Sequence, residues 1–260
     1  MLGLGHNIAT PMVSGETPYV NFRYYTGTHA SATFVNTNSA MQSLFRDSWT
    51  FSGWFNLDDG QTNPPNSLFG AKHDSNNNIL IYTTKNDSKL YIDYKANGDT
   101  HANVTDAVAW SNGSTGWFHI AITMSIPGSG NVSTATYVNG SAVATTTSAN
   151  CTVSNAGSFT STTDIVIGGI NNGGSIMESL RGDMDDVAFH SKALSASEIS
   201  EIYNGGVSID LTTHSTSGDL VHYYTFNFSN GDDSGSGESD ATFAEEGHTF
   251  NSHSTPTSAP

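Results

Sequence analysis

Cysteine, positive charge, glutamate and long apolar runs are all scarce in this chain of 260 residues. Cys151 is the only cysteine, so no internal disulfide can form. A small buried hydrophobe is the ordinary role for such a residue. Eight Lys and Arg stand against 24 Asp and Glu, a net charge of -16. Phosphate backbones are bound mainly by cations that displace counterions, so nucleic acid is not expected as a partner. No stretch approaches the roughly 18 apolar residues that span a bilayer. No basic segment precedes Leu2 and Leu4, which are interrupted by Gly3, Gly5 and His6, so neither a signal peptide nor membrane insertion is expected. The ten histidines include no His-Glu-x-x-His spacing for zinc, and no Gly-x-Ser-x-Gly elbow occurs.

What the chain has in quantity is turn chemistry and enough apolar material for one core. Hydrophobic residues make up 36% and aromatics 10%, which fills the interior of a single large all-β domain. Alternating patterns predict strands over 49–57, 68–72, 79–84, 89–94, 117–125, 135–139 and 164–170. Turn pairs at Asn97-Gly98, Asn112-Gly113 and Asn139-Gly140 separate them. Residues 1–16 read as a glycine-punctuated arm, 17–250 as the folded domain and 251–260 as a disordered tail. A late strand near 219–226 is expected to complete a sheet beside Asp185, with a separate small subdomain as the alternative.

The most specific segment is 182–206, GDMDDVAFHSKALSASEISEIYNGG. Period-two alternation puts Asp183, Asp185, Val187 and Phe189 on one strand face. A carboxylate among apolar side chains needs backbone donors, a cation or both. Ser195 and Glu198 form a capping box, Leu194 and Ile199 occupy the staple positions, and Gly205 suits the left-handed stop. A helix this short must dock Ile199, Ile202 and Tyr203 on a sheet.

This strand and helix resemble the closing motif of the laminin-G/concanavalin A-like lectin family. Residues 49–55 (WTFSGWF) resemble its early core strand. Residues 117–122 (WFHIAI) and Tyr137-Val138-Asn139-Gly140 resemble its central hairpin. The resemblance implies an all-β fold: a two-sheet antiparallel jelly-roll sandwich with one short helix. The same pattern is common in tail and capsid-associated proteins of marine bacteriophages, which also open with a short Met-x-Gly-Leu-Gly arm. The resemblance thus implies a non-enzymatic virion component on the particle exterior: capsid decoration, tail fibre or other appendage. Its partners would be other virion proteins and host-surface glycans, with Leu2 and Leu4 as the docking arm. A symmetric trimer or other small oligomer would add avidity. A free carbohydrate-binding lectin is the alternative, and a glycoside hydrolase a third reading. Hydrolases on this fold use a Glu-x-Asp-x-x-Glu strand, which the seven glutamates do not supply.

Two candidate sites remain. Asp183, Asp185 and Asp186, with Asp233 from a distant turn, offer hard oxygens for Ca2+. Alternatively, Asp185 only accepts backbone N–H bonds. Trp110 and Trp117 flank Asn112, and such rings either stack on sugar faces or pack against sheet edges.

Overall fold

The computed structural model describes residues 19–22, 35–36, 39–57, 66–83, 87–107, 109–110, 113–161, 163–178, 180–225, 234–236, 242–243 and 248–251. In chain order the strands are β1 (Tyr19–Phe22), β2 (Val35–Asn36), β3 (Trp49–Leu57), β4 (Asn66–Lys72), β5 (Asn78–Thr83) and β6 (Leu90–Ala96). Next come β7 (Asp99–Thr105), β8 (Trp117–Ser125), β9 (Ser133–Val138), β10 (Ser141–Val143), β11 (Thr145–Ala149) and β12 (Val166–Ile167). The last are β13 (Ile170–Asn172), β14 (Ser175–Met177), β15 (Gly182–His190), β16 (Leu220–Tyr224), β17 (Thr242–Phe243) and β18 (His248–Asn251). Two α-helical segments, α1 (Val153–Ala156) and α2 (Ala196–Tyr203), join short 3-10 turns. The strands form an eight-stranded sheet, ordered β10-β9-β8-β3-β15-β1-β18 with β16 beside β15, and a ten-stranded sheet. The second is ordered β11-β7-β6-β5-β4-β12-β2-β17, with β13 and β14 attached through β4. Pairing is antiparallel except where β13 meets β4. This is the two-sheet sandwich expected from the sequence.

Alternation along β3 explains how the sheets close on each other. Trp49, Phe51, Phe55 and Leu57 enter the inter-sheet core, while Thr50, Ser52, Trp54 and Asn56 take the other face. Phe51 lies 4.5 Å from Phe69 and 5.3 Å from Phe189, ring centre to ring centre, and Phe45 meets Trp49 edge-on at 5.2 Å. Each buried ring contributes about 1.5–3 kcal/mol. A few of them therefore match a whole domain's net margin of about 5–15 kcal/mol. Two Asn-Gly turns set the register of their hairpins. Asn97 and Gly98 join β6 to β7, and Asn139 and Gly140 join β9 to β10, all four with positive φ. That is the backbone a two-residue primed turn requires.

A smaller core lies outside the eight-stranded sheet. There α2 buries Ile199 and Ile202 against Ala121, Tyr137, Ala188, Leu220 and Tyr223. Ser195 accepts from the Glu198 amide, and the Glu198 side chain accepts from the Ser195 amide, completing the capping box. Leu194 and Ile199 are both buried in this cluster. The helix stops on two left-handed residues, Asn204 (φ 48°) at the cap and then the expected Gly205 (φ 67°). Asparagine tolerates that conformation.

Three further differences from the sequence reading have physical reasons. The β7 strand escapes the alternation rule because its inward positions are polar: His101, Asn103 and Thr105. Asn103 donates to Thr145 and Thr147, and Thr105 accepts from the Leu90 amide. The single strand expected over 164–170 is two, β12 and β13, separated by Gly168 at φ 79°. Finally, β16 lies beside β15, the strand that carries Asp185, pairing from Val187–Tyr224 to His190–Leu220, but it shares that edge with β1, which pairs at Gly182–Met184. Asp185 and Asp186 sit where these two strands meet end to end. The expected arm (1–16) and residues 252–260 lie outside the described residues, while Asn251 ends β18.

Candidate functional site

All nine residues of β15 are buried, and a bulge decides which way each one points. Asp185 opposes Trp54 and Ala188 opposes Ser52, so Asp186 and Val187 share a single partner position at Gly53. Asp186 has φ 48°, the left-handed backbone typical of the first residue of such a bulge. The extra residue shifts the alternation by one. Met184, Val187 and Phe189 enter the main core, and Ala188 joins the cluster under α2. This corrects the expectation that Asp185 shares a face with Val187 and Phe189. Asp183, Asp185 and Asp186 all lie on the helix side.

The three carboxyls differ in their partners. Asp183 accepts from Asn56 Nδ2 at 3.2 Å. Asp185 Oδ1 accepts from the Asp186 amide at 2.9 Å, and its Oδ2 is buried without a hydrogen bond among the described residues. Asp186 accepts from the Tyr223 hydroxyl at 2.7 Å and from the Ser208 hydroxyl. Burial, and then the neighbouring charge of Asp186, pushes the Asp185 carboxyl well above the usual carboxylate range. Burial lifts Asp186 to about 6, against the opposing pull of Ser208 and Tyr223. Calcium takes six to eight oxygen ligands. Here one carboxylate oxygen is unengaged, both Asp186 oxygens serve hydroxyl donors, and Asp233 lies outside the described residues. No group of three or more His, Cys, Asp or Glu among the described residues can hold a metal ion. The described donor set therefore does not fit calcium, and neutralisation by a proton suits a desolvated carboxyl better.

A small cavity beside Asp186 is lined by Ser52, Trp54, His119, Ile202, Ile209 and Leu211. Burial holds His119 down at about 3, so its ring is neutral. Trp54 packs between His119 and Tyr203, 5.2 and 5.8 Å away. The carboxyls are thus enclosed beneath α2 and the chain beyond it.

The aromatic candidates are not brought together. Trp110 is 9% exposed and stacks on Phe118 within the main core, centre to centre 5.0 Å. Trp117 precedes Phe118 on β8, so it takes the opposite sheet face, half-buried and opposite Asn56. Asn112, Leu2 and Leu4 lie outside the described residues.

A more open polar surface lies on the ten-stranded sheet. Along β5 and β6 every second residue is only half-buried: Asn78, Leu80 and Tyr82, then Tyr91, Asp93 and Lys95. Tyr82 and Tyr91 are cross-strand partners with nearly parallel rings 5.4 Å apart. The Tyr82 hydroxyl donates to Asp93 at 2.8 Å and the Tyr91 hydroxyl to Asp87 at 2.6 Å. Burial, with Asp93 beside it, raises the Tyr82 hydroxyl's pKa, keeping it a donor. Oriented rings next to carboxylate acceptors are the elements that recognise a hydroxyl-rich, flat-faced ligand. Alternation in NILIYT and LYIDYKA carried the signal, but the pairing of the tyrosines depends on register.

A model of the concanavalin A-like lectin/glucanases superfamily matches residues 26–200 of the 260. No curated protein matches the chain. Among solved structures, a Bacteroides ovatus protein provisionally assigned to carbohydrate binding is similar with a TM-score of 0.61 at 18% identity. The similarity covers 95% of this chain and 62% of that one, so this chain spans under two thirds of that relative's length. The carbohydrate-binding module CBM40 of a Ruminococcus gnavus IT-sialidase, bound to α2,3 sialyllactose, gives 0.49 at 13% identity, covering 69% of this chain and 97% of the module. A heptameric SAP-like pentraxin of Limulus polyphemus gives 0.45 at 15% identity, over 72% and 82% respectively. At these identities the likeness is one of fold. With more than half its length matched by the family model, the chain belongs to the concanavalin A-like lectin/glucanases superfamily.

Proposed function

We propose that the chain is a non-catalytic, lectin-like module that binds glycans on the outer face of its ten-stranded sheet. The observation that carries this reading is the Tyr82–Tyr91 pair with Asp93 in cross-strand register, on the sheet opposite the one closed by α2. The provisional assignment of the similar Bacteroides ovatus protein to carbohydrate binding supports it by analogy. Hydrolysis is disfavoured because, among the described residues, the adjacent carboxyls Asp185 and Asp186 are buried, whereas a glycosidase sets two accessible carboxyls across the scissile bond. Retention of the protein on immobilised polysaccharides tests the reading. Tyr91→Ala is expected to weaken binding about tenfold, roughly 1.4 kcal/mol, while circular dichroism shows the sheet still folded. Wild type that no polysaccharide retains would defeat it.

The finer placement is on a bacteriophage particle, as a decoration or tail appendage present as a small symmetric oligomer. The sequence layout alone supports this, and repeated weak sugar contacts would gain avidity there. Mass spectrometry of purified particles is expected to find the chain, and its absence from them would leave a free lectin.

A further inference from the structure

Positive charge is not spread evenly along the chain. Four of the eight Lys and Arg, namely Lys72, Lys85, Lys89 and Lys95, fall between positions 72 and 95. Two of them meet on the sheet surface. Lys72 pairs with Asn78, Asn78 pairs with Lys95, and Lys95 pairs with Thr100, forming one row across four strands. Neighbouring strands lie about 4.8 Å apart, so the two lysine backbones are roughly 10 Å apart with an amide between them. Lys72 is exposed and Lys95 half-buried, and neither forms an ion pair with a described residue. Asp93, one row along, is engaged by the Tyr82 hydroxyl. A chain with a net charge of -16 thus leaves two ammonium groups on one face without an ion pair among the described residues, although carboxylates are plentiful elsewhere.

We propose that this row binds the carboxylate of an acidic polysaccharide, whose sugar ring extends past Leu80 toward Tyr82 and Tyr91. This rests on the glycan-binding reading of the same face and adds the ligand's charge. Along the strands, each outward step of two residues covers about 6.6 Å. The lysine row and the tyrosine pair are two such steps, about 13 Å, apart, which suits two or three sugar units. The chain's overall negative charge does not forbid this. At physiological ionic strength charges beyond about 8 Å are largely screened, so the local balance at the row is Lys72 and Lys95 against Asp93. Asn78 can donate to the same carboxylate, and Asp93 can accept from ring hydroxyls.

Matched saccharide pairs that differ only in charge test the proposal. Suitable probes are galacturonate oligomers and sialyllactose, each against its own carboxyl methyl ester. Isothermal titration calorimetry is expected to show the acidic member of at least one pair binding about tenfold more tightly, with affinity falling as sodium chloride is raised. Lys72→Gln combined with Lys95→Gln should abolish that preference, while circular dichroism and the melting temperature stay as in wild type. Neutral members binding as well as acidic ones would overturn the charge assignment and leave glycan binding intact. An acidic preference that survives in the double variant would overturn the role of these lysines. Binding of neither member of either pair would overturn the proposal, and failure to bind any immobilised polysaccharide as well would overturn the underlying reading.

Discussion

At the scale of single residues, the Asp185–Asp186 pair is governed by burial. An unfolded chain titrates both carboxyls near about 4. In the folded protein Asp186 is held at about 6 and Asp185 is also raised. Over that interval the folded state binds more protons, so the pair's contribution is fully present below the unfolded value. It is lost as pH rises through the folded values. Buried His119 and His190, held down at about 3 and about 4, have the opposite sign: their contribution is present above about 6.5 and falls as pH drops. A wild-type melting curve therefore mixes the two. Asp185→Asn removes one charge and separates them. It is expected to melt above wild type at pH 7, with the gain shrinking toward pH 5, and chelator should move neither protein. A variant less stable than wild type at pH 7, with wild type weakened by chelator, would restore a metal to this position. The sequence marked Asp185 as buried and costly. It could not reveal that Asp186 is equally enclosed, because a left-handed residue in a bulge reverses the alternation on which such an assignment rests.

At the scale of elements, legibility tracks how local the determinants are. The helix α2 could be read directly, since its cap, staple and apolar spacing all lie within ten residues, 194–203. Lys192 adds an exposed ion pair to Glu198 at 2.7 Å, which contributes little to stability. The cap is worth more. Ser195→Ala is expected to cost about 1 kcal/mol, seen as a lower urea midpoint at unchanged slope. No change in midpoint would mean that the burial of Leu194 and Ile199 alone sets the helix. By contrast, β7 was hidden, because its buried side chains are polar and form hydrogen bonds to β9, β11 and the β6 backbone. The order of β1 and β16 along one edge of β15 was hidden too, since it depends on pairings far apart in the chain.

At the scale of the whole molecule, the two sheets face different surroundings. One turns its outer surface toward α2 and buries its carboxyls there. The other displays tyrosines, a carboxylate and lysines in rows. Composition argued against a nucleic-acid partner and the closing motif pointed to the family, but neither indicated which face would meet a ligand. Trp110 and Trp117 drew attention by residue type, yet Trp110 stacks on Phe118 in the core while Trp117, one position before Phe118 on β8, takes the opposite face. Tyr82 and Tyr91 are nine positions apart and become neighbours only through the β5–β6 register. The most direct test of the ligand face is chemical-shift mapping of isotope-labelled protein titrated with the saccharide it binds most tightly. The expected result is that perturbed amides cluster in β5, β6 and β7 around Asn78, Tyr82, Tyr91 and Lys95. Perturbations confined to Trp117–His119 and Asp183–Asp186 would contradict the account and move the site to the opposite sheet.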